Sequence, residues 1–247
     1  MSLPRFYYPH PIQPQQRLEL PKELAHYMQR VLRLNDQSDV ILFNGLGGEF
    51  RARLHFNGKQ VDAETLDFYA IERELPWRIS IAQGLATGDK MDWVCEKAVE
   101  MGASDLIPIA AQYSTLKLSG DRLEKRLAHW QRIAQSASEQ CGRNRVLEVH
   151  DLQNMQQLCQ HLESTSLLLF CDPDAPQDFP KAIQEAQRNT EHWILLIGPE
   201  GGWSEEEKKI ALKAGAISMR FGARVLRTET AAIALVGAIR GQLGWVD

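Results

Sequence analysis

Several common functions are ruled out by what the sequence lacks. Its four cysteines, Cys95, Cys141, Cys159 and Cys171, include no C-x-x-C pair, and its seven scattered histidines form no H-E-x-x-H pattern. Both absences argue against a metal site. No run approaches the roughly 18 apolar residues a membrane-spanning helix needs. The opening stretch "MSLPRFYYPHPIQPQQ" holds no apolar segment of signal-peptide length. The cysteines therefore read as reduced thiols in a cytoplasmic protein. Both common phosphate-binding fingerprints are missing too. The nearest approach to a P-loop is "GLATGDKM", Gly84 to Met91. Its glycine spacing is one short, Asp89 separates Gly88 from Lys90, and Met91 stands where a hydroxyl is needed. No G-x-G-x-x-G occurs.

What is present is an ordinary globular composition, 44% hydrophobic and 24% charged. The 247 residues suit one small and one medium domain. Net charge is −4, but it is unevenly spread. Residues 1–60 carry eight Lys/Arg against five Asp/Glu, and residues 116–145 carry seven against three. Two basic islands on an acidic chain fit either a surface that meets a polyanion or two solvated faces.

Residues 1–75 are β-rich, with short runs "RLEL", "DVILF", "EFRARLHF" and "QVDAETLDF" separated by glycine turns. One helix interrupts them: Pro21 opens "KELAHYMQRVLRL". A small barrel with one helix is expected, ending near Pro76. Residues 76–247 alternate strand and helix. Strands are expected at "RISIAQG", "DLIPIA", "SLLLFC", "HWILLIG" and "AISMRFG". A long helix, "DRLEKRLAHWQRIAQSASEQCG", places Leu123, Leu127, Trp130, Ala134 and Ala137 on one stripe. Continuous apolar strands followed by helices predict a parallel sheet covered on both faces.

Three stretches carry chemistry. In "LLIGPEGGWSEEE", Gly198, Gly201 and Gly202 permit a tight strand-to-helix turn. Ser204 and Glu207 predict a capping box at the helix start. With Glu205 and Glu206 beside it, the positive helix end is already compensated. A triphosphate would be repelled there, whereas a neutral ring or a cation would not. Alone, the turn reads as a capped junction without a ligand. In "FGARVLRTETAAIALVGAIRG", a polar loop leads to a helix of small residues, capped by Thr228 or Thr230. In "SASEQCGRNR", Glu139, Arg143 and Arg145 form either a surface ion-pair cluster or an anion-binding group.

These stretches, with "GDKMDWVCEKAVEMG", occur in one order behind a β-rich domain, and the chain as a whole resembles the bacterial RsmE family. Arg5 with Phe6, and "RVLRL", match that family's N-terminal domain, while "NDQSD" and Asn44 depart from it within turns. The resemblance implies an S-adenosylmethionine-dependent methyltransferase of the SPOUT superfamily that modifies N3 of a uridine in 16S small-subunit ribosomal RNA. It implies an α/β fold: a PUA-like domain over residues 1–75 and a SPOUT domain with a parallel sheet and deep trefoil knot over 76–247. It also implies a homodimer, no metal, and either free rRNA or the assembled 30S subunit as partner. Related readings are a ribose 2′-O RNA methyltransferase and a non-catalytic assembly factor.

By the same resemblance, the cofactor lies among three loops. The first holds Leu169, Phe170 and Cys171. The second holds Ile197, Gly198, Pro199, Glu200, Gly201 and Gly202. The third holds Phe221, Gly222, Val225, Leu226, Arg227, Thr228, Thr230 and Ala231. N3 of uracil is a poor nucleophile while protonated, so the reaction needs a base and a cation beside the resulting anion. Arg143 and Arg227 are the candidate cations, with Glu139, Glu200 or Glu229 as bases. Arg5, Arg30, Arg33 and Arg145 are the candidate phosphate contacts.

Overall fold

The computed structural model describes residues 3–186 and 190–244. The chain divides into two units: Met1–Glu74 with Ser138–Val146, and Leu75–Ala137 with Leu147–Asp247.

Unit 1 is built from alternation. Its strands are β1 (Arg5–Tyr7), β2 (Arg17–Glu19), β3 (Asp39–Phe43), β4 (Glu49–Asn57) and β5 (Gln60–Tyr69), in sheet order β1-β3-β4-β5-β2. β1 runs parallel to β3, and the remaining pairs are antiparallel. Along β4, Phe50, Ala52 and Leu54 turn inward against Val40, Leu42, Val61 and Ala63. Arg51 and Arg53 turn outward, and both reach Asp39 of β3. That is the period-2 pattern of a half-buried sheet. Helix α1 (Lys22–His26) follows Pro21 but is shorter than the sequence pattern predicts. It passes into a π-helical turn at Tyr27–Val31, which buries Met28, and the chain leaves through Arg33 at φ 53°.

Unit 2 alternates strand and helix. In chain order it has β6 (Arg78–Gly84), α2 (Lys90–Glu100), β7 (Asp105–Ile109), α3 (Gly120–Cys141), β8 (Glu148–Val149) and α4 (Met155–Gln160). β9 (Ser166–Cys171), α5 (Phe179–Ala186), β10 (His192–Ile197), α6 (Glu205–Lys213), β11 (Ile217–Met219) and α7 (Thr228–Leu243) follow. The six strands pair in parallel in the order β11-β9-β10-β6-β7-β8. β10 is buried along its whole length and sits between β9 and β6, as an apolar strand covered on both faces must.

Residues 138–146, the last turn of α3 and the segment that follows it, pack with unit 1, although the sequence pattern runs the helix through to Gly142 without a break. Helical periodicity does not change where a helix passes from one core to another. The order β11-β9-β10 has a direct consequence for function. It sets the carboxyl ends of three parallel strands side by side, so the loops leaving them converge. Ligand sites of open α/β sheets form at such ends.

Candidate functional site

Those three loops enclose a cavity of about 760 Å³, well within the range of small-molecule sites. Its wall includes Phe170 and Cys171 from the end of β9, Ile197 to Trp203 after β10, and Phe221 to Glu229 between β11 and α7. The turn after β10 is held by Gly202 N donating to Pro199 O at 2.9 Å, with Gly202 at φ +73°. Neighbouring backbone crowds it closely. A Cβ on Gly84 would lie 2.5 Å from Pro199, and one on Gly201 would lie 2.8 Å from the Tyr113 carbonyl.

The glutamates of "GPEGGWSEEE" have separate tasks. Ser204 caps α6, and the reciprocal bond from Ser204 N to Glu207 Oε2 spans 2.9 Å, which completes the expected capping box. The other Glu207 oxygen accepts from Gln112 N. Glu200 serves the segment after β6 instead. Its Oε1 accepts from Thr87 N at 2.9 Å, Thr87 Oγ1 at 2.7 Å and Lys90 Nζ at 2.6 Å. Burial raises its pKa, but Lys90 and Thr87 outweigh burial and hold it at about 2. A carboxylate so stabilised is a feeble base near neutral pH, and its three bonds fasten the turn to Thr87 and Lys90.

The start of α7 is fastened by a different device from the expected cap. Arg227 occupies the cap position without a side-chain bond. Thr228 instead donates from Oγ1 to Gly198 O at 2.6 Å and accepts from Gln83 Nε2 at 2.7 Å. One hydroxyl thus ties the third loop to the second.

The charges around the cavity are mixed. Lys208 pairs with Asp172, and that bond holds its ammonium above the usual lysine range. Lys90 pairs with Glu200. Two buried polar atoms at the wall have no partner among the described residues: Glu229 Oε2 and Trp203 Nε1. Buried groups left unpaired call for a partner such as a water, an ion or a ligand. One acceptor and one donor beside mixed charge suit a zwitterionic or cationic ligand better than a polyphosphate. Burial raises the Cys171 thiol far above its usual value, so it lines the wall as a neutral group.

Most of the expected cofactor residues gather here. Leu169 does not, because it is wholly buried inside the sheet, and Thr230 lies outside the wall. Asp172, Trp203 and Lys208 also line the cavity and are not among the expected residues: Asp172 directly follows β9, Trp203 ends the turn after β10, and Lys208 lies within α6. Of the five acid–base candidates, Arg227, Glu200 and Glu229 line the cavity. Arg143 and Glu139 belong to unit 1, where internal partners occupy them. Arg143 is 4% exposed, with Nε on Glu74 at 3.0 Å, and Glu139 accepts from Tyr7 N at 2.8 Å. Burial raises the pKa of Glu139. Arg5 is held by Glu49 and Asn144, both at 2.6 Å, and lies over the Phe43 ring. Arg145 pairs with Glu72. Arg30 and Arg33 are exposed and form no ion pair among the described residues.

Comparison with known proteins narrows what such a cavity serves. An RNA methyltransferase domain matches residues 73–240, and an RNA methyltransferase PUA domain matches residues 20–66. The ribosomal RNA small subunit methyltransferase E of Bacillus subtilis is 31% identical over 225 residues, covering 89% of this chain and 88% of that protein. The chain belongs to the ribosomal RNA small subunit methyltransferase E family. The family member from Buchnera aphidicola of Schizaphis graminum is 28% identical over 98% of this chain and 97% of its own length. The crystal structure of the Neisseria gonorrhoeae member, bound to S-adenosyl methionine, superposes with a TM-score of 0.89 at 31% identity over 98% of each chain. The α/β fold with a parallel sheet and a PUA-like first domain is thus the family's own.

Proposed function

We propose that the chain transfers a methyl group from S-adenosylmethionine to N3 of a uridine in small-subunit ribosomal RNA. The observation that carries this reading is the cavity at the ends of β9, β10 and β11, with its orphaned Glu229 and Trp203 atoms. The glycine turn lets backbone approach a flat ring, while Phe170 and Trp203, with ring centres 5.9 Å apart, supply apolar surface. When bound, S-adenosylmethionine supplies an already activated methyl group.

The chain's own part is to manage the uracil proton. Arg227, exposed at the cavity wall, stabilises the anion left when N3 loses its proton. Glu229, with a free acceptor oxygen, takes that proton. Arg30 and Arg33 of unit 1 meet RNA phosphates. The protein works as a cytoplasmic homodimer with the family's trefoil knot. Among the described residues, no helix is long and apolar enough to cross a membrane.

Calorimetric titration tests the site. S-adenosylmethionine is expected to bind once per chain, and ATP, repelled by the acidic turn, is not. Binding of neither, by a folded protein, would favour a non-catalytic assembly factor.

A further inference from the structure

The cations foreseen as phosphate contacts are partly consumed inside unit 1, which raises the question of where unused positive charge lies on unit 2. It lies on α3. Arg122, Lys125, Arg126, His129 and Arg132 recur at intervals of three and four residues and so share one helix face. The buried stripe of Trp130, Ala134 and Ala137 falls on the other side. His129 is engaged by Asp92 at 2.8 Å. The other four form no ion pair among the described residues, and Arg122, Lys125 and Arg132 are exposed. Asp121, at the first turn of the helix, is the acid beside them, and the face remains net positive. Elsewhere in unit 2, Arg78, Lys90, Lys97, Lys208 and Arg220 each meet a carboxylate, while Lys209, Lys213, Arg224 and Arg227 form no ion pair among the described residues but do not all line up along one helix face. On α3, four such cations stand together.

From Arg122 to Arg132 the helix rises about 15 Å. Along a DNA duplex, about 15 Å of axis carries roughly four phosphates on each strand, and phosphates of an A-form RNA helix lie on the same scale. Number and length match.

We infer that this face of α3 is a phosphate-binding surface carried by the methyltransferase unit itself, and that it grips the rRNA backbone independently of unit 1. The inference rests on the rRNA reading of function given above. It assigns Arg122, Lys125, Arg126 and Arg132 to sequence-independent grip, not to chemistry.

Salt dependence of binding reads such contacts directly. Affinity for a small-subunit rRNA transcript is measured from low to high salt for the wild type and two double variants. Arg122→Gln/Lys125→Gln removes two charges from α3. Lys209→Gln/Lys213→Gln removes the same charge from α6. The α3 variant is expected to lower the slope of log affinity against log salt by about 1.5–2, with S-adenosylmethionine affinity unchanged. The α6 variant is expected to keep the wild-type slope. Equal slopes for both variants, or a wild-type slope in the α3 variant while the wild type methylates the transcript, would overturn the inference alone. A wild type that neither binds nor methylates rRNA, free or in subunits, overturns the functional reading as well.

Discussion

Lys90 and Glu200, 110 residues apart in sequence, meet at 2.6 Å and fix the glycine turn of the cavity to the start of α2. The ammonium and the two Thr87 donors hold the Glu200 pKa at about 2, against burial, which raises it. A depressed carboxylate contributes stability that is present above its unfolded value, here 4.5, and is lost as pH falls from there toward 2. Acid unfolding followed by circular dichroism is therefore expected to begin at higher pH in Lys90→Met than in the wild type. Glu200→Gln should weaken S-adenosylmethionine binding several-fold yet leave the pH–rate profile between pH 6 and 9 unchanged. A profile whose acidic limb disappears in Glu200→Gln would restore Glu200 as the base.

Gly84 lies under Pro199 so closely that a Cβ would sit 2.5 Å from the ring. Gly84→Ala is expected to cost about 1–3 kcal/mol, the usual range for overpacking, and to weaken cofactor binding with it. Gly241, in α7, has nothing within 4 Å of its Cβ position, so Gly241→Ala should raise stability by a few tenths to about 1 kcal/mol. Thermal unfolding of both variants checks the contrast.

Thr228→Val keeps the shape of the side chain and removes the hydroxyl that joins Gly198 O to Gln83. Losing two buried bonds should cost about 1–3 kcal/mol. Because this hydroxyl ties two cavity loops together, the loss should also show as faster dissociation of S-adenosylmethionine in stopped-flow measurements. An unaltered off-rate would mean that the loops are held by other means.

Arg143 is buried against Glu74. Removing it leaves a partly buried carboxylate without its cation, which should cost about 3 kcal/mol. Arg143→Ala is expected to lower the unfolding midpoint while S-adenosylmethionine affinity, measured in the cold, stays at the wild-type value. A variant of normal stability with methyl transfer cut more than tenfold would instead support the catalytic role suggested by the "CGRNR" motif.

How much of this was legible beforehand depended on how local each cause is. "HWILLI", "SLLLFC" and "RISIAQG" announce buried parallel strands because burial on both faces leaves no alternation to disguise them. The Ser204–Glu207 box is legible because both partners lie within one helical turn. Sequence offers Thr228 or Thr230 as a cap, whereas Thr228 serves Gly198 O, 30 residues away, which no local pattern shows. In sequence Glu139 and Arg143 read either as an ion-pair cluster or as an anion-binding group, because their partners Tyr7 and Glu74 are 132 and 69 residues away. A charged side chain shows in sequence; whether another charge already answers it does not. The short α1 was hidden for a related reason: the π-helical turn at Tyr27–Val31 keeps Met28 inside and leaves the apolar spacing looking helical.

Glu229 is the cavity acid with a buried oxygen that no neighbour satisfies. If it accepts the N3 proton, Glu229→Gln should reduce single-turnover methyl transfer by about 10²–10⁴, with S-adenosylmethionine affinity changed by no more than a few-fold. A drop in affinity equal to the drop in rate would make Glu229 a cofactor ligand instead.

The most direct test of the account is nucleoside mass spectrometry of small-subunit rRNA and of intact small subunits after one turnover with methyl-labelled S-adenosylmethionine. The account predicts label in 3-methyluridine at a single position. Label on a ribose 2′-oxygen, or no label from a protein that binds the donor, would contradict it.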